Sequence, residues 1–392
     1  MRHSLPRIVF VSLLIVIGTS CGQMGTTPTS TPPPSPPSCV KSMHPSFAYV
    51  LNSSDATISM YTADSCTGAL TPTGSGTIPT GVDNGFNAES MAIDPTGKFL
   101  YVANLGSNAT DAATVSMFTI NPSTGVLSAI SPSQVPAGFY PQGITASSKF
   151  VYTANSDDNS VSMFTINSSV GSLTPLSPSE TLVPPVFTSR SLESSPGFVT
   201  VSPSENFLYV TDQENGSIST FSINSETGTL SATTPAGVLA GAYPWKLTFN
   251  PAGTFAYSAD EDIGNVWMYS VDTATGTLTQ NPEILVPAGS QPSYMAVHPS
   301  GKFAYVVNRY DGTVSMYTIN ADTGTLVPNA PGTVQAGSWP YSIALNAAGT
   351  FAYVGNQSDG TLSIYTINAS GVLIPAGTVP TGNNPVDIAL IN

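Results

Sequence analysis

Three cations, Arg190, Lys246 and Arg309, stand out in this sequence as side chains that could do chemistry, with two carboxylates, Glu89 and Asp387, and three aromatics, Trp245, Tyr294 and Tyr341. A guanidinium or ammonium can clamp an anionic or carboxylate-bearing ligand, and a carboxylate can serve as a base. Aromatic rings beside polar side chains suit a sugar or a peptide. Scarcity is what singles these residues out. The 392 residues include 9 Lys or Arg and 23 Asp or Glu, for a formal net charge of −14. Arg2 and Arg7 precede an apolar run, Lys41 follows a Pro-rich stretch, and Lys98, Lys149 and Lys302 fall in turns that recur along the chain. Only Arg190, Lys246 and Arg309 remain for a variable surface. The acids Glu193, Asp212, Asp260, Glu261 and Asp262 lie near them in the sequence.

The same scarcity excludes whole classes. A basic nucleic-acid surface lacks the cations to neutralise phosphates. Helical bundles and coiled coils lack their charged outer faces. With 41% hydrophobic residues, charge-driven disorder is also excluded. What remains is a β-rich protein whose surface is made polar by Ser, Thr, Asn and Gly.

Internal repeats supply the elements that must position these side chains. A strand of the form Phe-x-Tyr begins at Phe47, Phe99, Phe150, Phe207, Phe255, Phe303 and Phe351. Each copy continues through a Gly/Asn/Asp turn into a second strand such as Thr313–Asn320, then a Thr/Gly turn and a short further strand. A loop then leads to a strand of the type Pro-x-x-Ile-Ala-Leu. Alternating apolar residues bounded by turn residues are a strand signature. Four antiparallel strands repeated at about 50 residues mean a β-propeller, so the fold class is all-β with seven four-stranded blades. The first copy lacks its inner strand and the last copy has one to spare, Pro385–Ile391. That C-terminal strand is expected to complete blade 1.

Within each blade the strands run inner, second, third, outer. The inner-to-second and third-to-outer turns share one face, the bottom, and are nearly uniform. The second-to-third turns and outer-to-inner loops share the top and vary, which is where function usually sits on a rigid scaffold. His44 and His298 fall in bottom turns, so neither His nor Cys chemistry is expected at the top. No metal site and no cofactor are expected. The runs at Asp260–Asn265 and Asp157–Asn159 read as hairpin turns rather than calcium loops. The pairs Val386-Asp387, Glu89-Ser90, Gln142-Gly143, Gly197-Phe198, Trp245-Lys246, Ser293-Tyr294 and Tyr341-Ser342 should ring the top of the channel. Phe86, Phe139, Tyr140, Tyr243 and Trp339 add aromatics to the top loops.

Ahead of the repeats, Ile8–Ile17 is too short to span a bilayer and suits the core of a signal peptide, here residues 1–20. Gly18-Thr19-Ser20-Cys21 resembles a bacterial lipobox, which implies lipidation of Cys21. Residues 21–46 read as a Pro/Thr/Ser-rich stalk and 47–392 as the propeller. The protein is therefore expected to be exported and anchored to the cell envelope through lipid. In that oxidising setting the two remaining cysteines, Cys39 and Cys66, are expected to pair at the bottom of blade 1.

The repeats look like YVTN repeats, and residues 47–392 resemble the lactonase family of seven-bladed propellers, which includes 6-phosphogluconolactonases. His298-Pro-Ser-Gly-Lys-Phe-Ala-Tyr-Val-Val-Asn-Arg309 is similar to that family's HPxGxFLYVSNR run, which puts Arg309 at the family's Arg position. The resemblance implies hydrolysis of a carboxylate-bearing lactone. The family's Arg-His pair on the channel rim is absent from all seven rim pairs. The favoured expectation is therefore a monomeric binding protein taking a small molecule, glycan or protein at its top face. The alternative is a lactonase-type ester hydrolase.

Overall fold

The computed structural model describes residues 45–81, 88–106, 113–184, 195–281 and 285–391. The chain forms two units, Met1–Val40 and Lys41–Asn392, and every described residue belongs to the second. Seven antiparallel sheets follow one another along it, each in the order inner, second, third, outer. Pro385–Ile391 pairs with Ser46–Asn52 as the inner strand of blade 1, with Ala48 opposite Leu390 and Val50 opposite Ile388. The expected closure is therefore present, and no blade is left open at the seam.

Burial explains the strand sequences. The second strand of blade 2, Phe99–Asn104, is buried at every position because neighbouring blades cover both of its faces. Its continuous apolar run follows from that, as in any strand buried on both sides. The outer strand Leu326–Gln335 is mostly exposed and correspondingly polar. Outer strands are longer than the sequence pattern suggests. Most run ten residues and follow the third strand through a register shift, as between Ser315 and Tyr317. Pro and Gly at mid-strand disguise this continuity.

Adjacent blades are joined by one repeated contact. The Tyr of each Phe-x-Tyr strand donates its hydroxyl to the carbonyl of a glycine in the next blade's third-to-outer turn. The seven bonds run Tyr49 to Gly125, Tyr101 to Gly171, Tyr152 to Gly228, Tyr209 to Gly276, Tyr257 to Gly324, Tyr305 to Gly371 and Tyr353 to Gly68, at 2.8–3.0 Å. The Phe of the same strand lies against the same glycine, where a Cβ would enter its ring. Each of these glycines also has positive φ, +71° at Gly68, which glycine alone adopts without cost.

A second repeated device fixes the top loops. In blades 1, 6 and 7 the Asn that ends the second strand donates to two third-strand hydroxyls and accepts from the loop ahead of its own blade. Asn308 donates to Thr313 and Ser315, each at 2.9 Å, and accepts from the Gly289 amide at 2.9 Å. In blade 5 this position is Asp260, which accepts from the Ala242 amide and the Trp267 indole. The Trp245 amide donates to the Ala259 carbonyl there. The regular inner strand of blade 5 shrinks to Thr248–Phe249 as a result.

The blade-to-blade contact predicts a graded stability response. Tyr353→Phe, which leaves a buried carbonyl unpaired, should cost about 1 kcal/mol in urea denaturation. Gly68→Ala, forced into positive φ and into Phe351, should cost roughly 1–3 kcal/mol or more. Gly332→Ala, whose Cβ would meet only the Asn329 carbonyl at 3.7 Å, should stay within about 0.5 kcal/mol of the parent.

Candidate functional site

A cavity of about 320 Å³ opens at the top mouth of the channel, lined by blades 2 to 7. Eight of its ten described lining side chains come from two parts of the repeat. The inner strands bring Glu89, Gln142, Phe198 and Tyr341, and the segment ahead of the short inner strand of blade 5 brings Trp245. The residue immediately after the strand-ending Asn or Asp brings Gln213, Glu261 and Arg309. That second position is held by backbone. The Arg309 amide donates to the Gln291 carbonyl at 3.0 Å, and the Glu261 amide to the Tyr243 carbonyl at 3.1 Å. Gln291 itself sits at φ +52° and Trp339, its equivalent in blade 7, at +53°. Aromatic and amide side chains in this conformation are uncommon and need the surrounding loop to hold them.

Arg309 is the centre of the site. One of its terminal nitrogens donates to Glu261 at 3.0 Å. Its guanidinium carbon lies 5.0 Å from the Tyr341 ring centroid, 5.4 Å from Trp339 and 5.5 Å from Trp245. Three rings around one cation fix it by cation–π attraction. The other Glu261 oxygen accepts from the Trp245 indole at 2.7 Å, so one carboxylate locks the cation and one of its rings together. Both charged partners are about 15% exposed, and water therefore screens the pair less than it would at an open surface.

Phe198, Trp245 and Tyr341 form the apolar wall, with Phe198 and Trp245 5.1 Å apart and Trp245 edge-on to Tyr341 at 5.3 Å. Tyr294 packs against all three from behind. It is buried rather than lining the cavity, and its hydroxyl has no hydrogen-bond partner among the described residues. Burial raises the phenols of Tyr294 and Tyr341 well above the ordinary value, so both stay neutral.

Glu89 faces Arg309 in this cavity without any hydrogen bond to the described residues. Burial pushes its carboxyl up to about 7, opposed by the Arg309 charge and reinforced by Asp387. A carboxylate that titrates near neutrality in a cleft is suited to proton transfer.

The remaining expected site residues separate. Asp387 does not line the cavity and joins blade 1 to blade 2, accepting from the Met91 amide at 2.9 Å and the Ser90 hydroxyl at 3.2 Å. Burial raises its carboxyl, and the nearby Lys246 charge pulls it back. Lys246 does not line the cavity. Its charge acts instead on the buried Asp387. Arg190 and Glu193 lie outside the described residues, as do Cys21, Cys39, His44 and Phe86. Cys66 is disulfide-bonded. Asp260 is occupied by its loop, and Asp212 holds the Asn215 side chain. His298 bonds Ser300 and the Gly349 carbonyl at the bottom face. Among the described residues no cluster of three or more His, Cys, Asp or Glu is arranged to hold a metal ion.

Gln213 is the lining residue that motif reading misses. Aligning the seven copies on the strand-ending Asn or Asp would find it. Ser53, Leu105, Ser156, Gln213, Glu261, Arg309 and Gln357 follow that position in turn, and three of them line the cavity.

The sequence profile of the family described as Lactonase, 7-bladed beta-propeller matches residues 40–189, 179–290 and 281–390. No curated protein sequence matches the chain. Among solved structures, it is similar to a Bacteroides uniformis protein put forward as a 6-phosphogluconolactonase, at 21% identity and TM-score 0.76, covering 89% of this chain and 100% of that one. A Bacteroides fragilis protein put forward with the same activity gives 21% and 0.74, over 89% and 99% of the two chains. The Pseudomonas aeruginosa periplasmic gluconolactonase PpgL gives 21% and 0.72, also over 89% and 99%.

Removing the cation should move the acid. Arg309→Met takes away the charge that favours the Glu89 carboxylate, so Glu89 should titrate above 7. Carbon-13 NMR of the glutamate carboxyls across pH 5–9 measures this, with Glu89→Gln identifying the resonance.

Proposed function

The chain belongs to the lactonase family of seven-bladed β-propellers, and from that premise we propose that it hydrolyses a sugar lactone. The observation that carries this reading is the half-buried Glu89, raised to about 7, facing a fixed Arg309 in one cavity. Ionised Glu89 takes a proton from water, and the hydroxide formed attacks the lactone carbonyl carbon. The carbonyl oxygen becomes an oxyanion, which the Arg309 guanidinium stabilises. The ring carbon–oxygen bond then breaks, and the leaving alkoxide recovers the proton from Glu89. The product is the open-chain hydroxy acid. Glu261 engages one of the five guanidinium N–H groups at 3.0 Å, and Trp245 and Tyr341 give the sugar ring an apolar face.

Charge supports an uncharged lactone over a phosphorylated one. Among the described lining residues, Glu89, Glu261 and Asp262 outnumber the single cation Arg309. A phosphate dianion would meet net negative potential there.

A second reading, a binding protein that holds a sugar without turning it over, is favoured by the Glu261–Arg309 pair, which already engages the cation. Turnover separates the two. Purified protein should open glucono-δ-lactone faster than the uncatalysed reaction and faster than it opens the 6-phospho form. Because Glu89 must be ionised, kcat/KM should rise with pH through about 7 and level off above it. Glu89→Gln should lose about 10²–10⁴-fold, and Arg309→Met about 10²–10³-fold. Turnover that is absent, or indifferent to both substitutions, favours the binder.

We propose further that the protein is an envelope lipoprotein, a reading supported by Arg2, Arg7, the apolar run and Cys21 in the sequence. Metabolic labelling with a palmitate analogue in a bacterial host should mark the parent chain and fail to mark Cys21→Ser.

A further inference from the structure

Beside the cavity, between the top loops of blades 5 and 6, lies an open groove of about 590 Å³. Glu261 and Asp262 line both spaces, so the groove continues the cavity. Its outer wall carries Tyr310, 71% exposed, with its ring edge-on to Trp339 at 6.3 Å. The chain turns Arg309 into the cavity and the next residue, Tyr310, onto the groove. Opposite lie Ser290 and Gln291, and the buried Gln291 Oε1 has no hydrogen-bond partner among the described residues. The described groove lining contains no cation. An aromatic plane left in water, flanked by amide and carboxylate oxygens, matches a ring with apolar C–H faces and hydroxyl donors at its edge. It does not match an anion.

We propose that this groove is a second subsite for a glycosyl unit joined to the lactone, so that the substrate class is the uncharged lactone of a disaccharide aldonic acid. This rests on the lactone-hydrolase reading. The lactone ring occupies the cavity beside Arg309 and Glu89, and the attached sugar stacks on Tyr310 with its hydroxyls directed to Asp262 and Gln291. A single-sugar lactone leaves the groove to water.

The test compares cellobiono-δ-lactone with glucono-δ-lactone on the full chain. The disaccharide lactone should have a kcat/KM about tenfold higher, the size of one good aromatic contact. Tyr310→Ala should lower it about tenfold more than it lowers the monosaccharide lactone. Equal kcat/KM for the two substrates in the parent protein overturns the subsite while leaving lactone hydrolysis standing. If neither lactone is turned over, the hydrolase reading fails, and calorimetry with cellobiitol and glucitol, which cannot be hydrolysed, decides the groove. Tighter binding of cellobiitol that Tyr310→Ala abolishes upholds a sugar site. Equal binding of the two alditols, or indifference to the substitution, overturns it.

Discussion

The whole ring depends on the tyrosine hydroxyl that reaches into the next blade for a glycine carbonyl. Each bond spans a blade-to-blade boundary, and seven of them close a circle in which Tyr353 reaches Gly68 across 285 residues of sequence. A net gain of about 1 kcal/mol per bond is modest. Its structural weight comes from the cost of breaking it, since a buried carbonyl would be left without a partner. The Phe two residues earlier covers the same glycine, so one short motif supplies both the hydrogen bond and the shape that selects it.

With blades locked at their bottom turns, the tops can vary without loosening the ring. In blades 1, 5, 6 and 7 the strand-ending Asn or Asp ties its loop to the rigid third strand, and in blades 4, 5 and 6 the residue after it lines the cavity. Blade 5 uses Asp260 for this, draws the chain at Trp245 toward Ala259, and brings the indole to Glu261. Glu261 then holds Arg309 from blade 6, and blade 7 supplies the rings of Trp339 and Tyr341 that enclose it. The cation is thus positioned by three blades, none of which could hold it alone. Glu89 comes from the other side of the ring and takes its raised pKa from the same apolar enclosure.

Most of the architecture was legible in the sequence because it is written seven times. Phe-x-Tyr marks the second strands, and the surplus strand at Pro385 marks the closure. Arg309 and Glu89 were legible because cations and rim carboxylates are so few. Lys246 was singled out by scarcity alone, which says nothing of whether a side chain reaches the cavity. Asp212 and Asp260 looked like site acids, yet they stand where other blades carry Asn, and the carboxylate oxygens do the work of the amide oxygen in tying loops. Gln213 was missed because it is neutral and unremarkable until the copies are superposed. Tyr294 was visible as an aromatic at the rim, but only the packing of four rings shows that it lies behind the wall.

The pairing of Ser46–Asn52 with Pro385–Ile391 has a consequence for biosynthesis. The first blade to leave the ribosome waits for the last strand to be made. Until then the buried edge of Ser46–Asn52 has no inner neighbour, and an unpaired apolar edge recruits other chains. The six blades between can form from local contacts in the meantime. A message truncated late therefore yields a product that retains nearly all of its sequence and still exposes its seam, and such a product is marked for proteolysis by geometry alone.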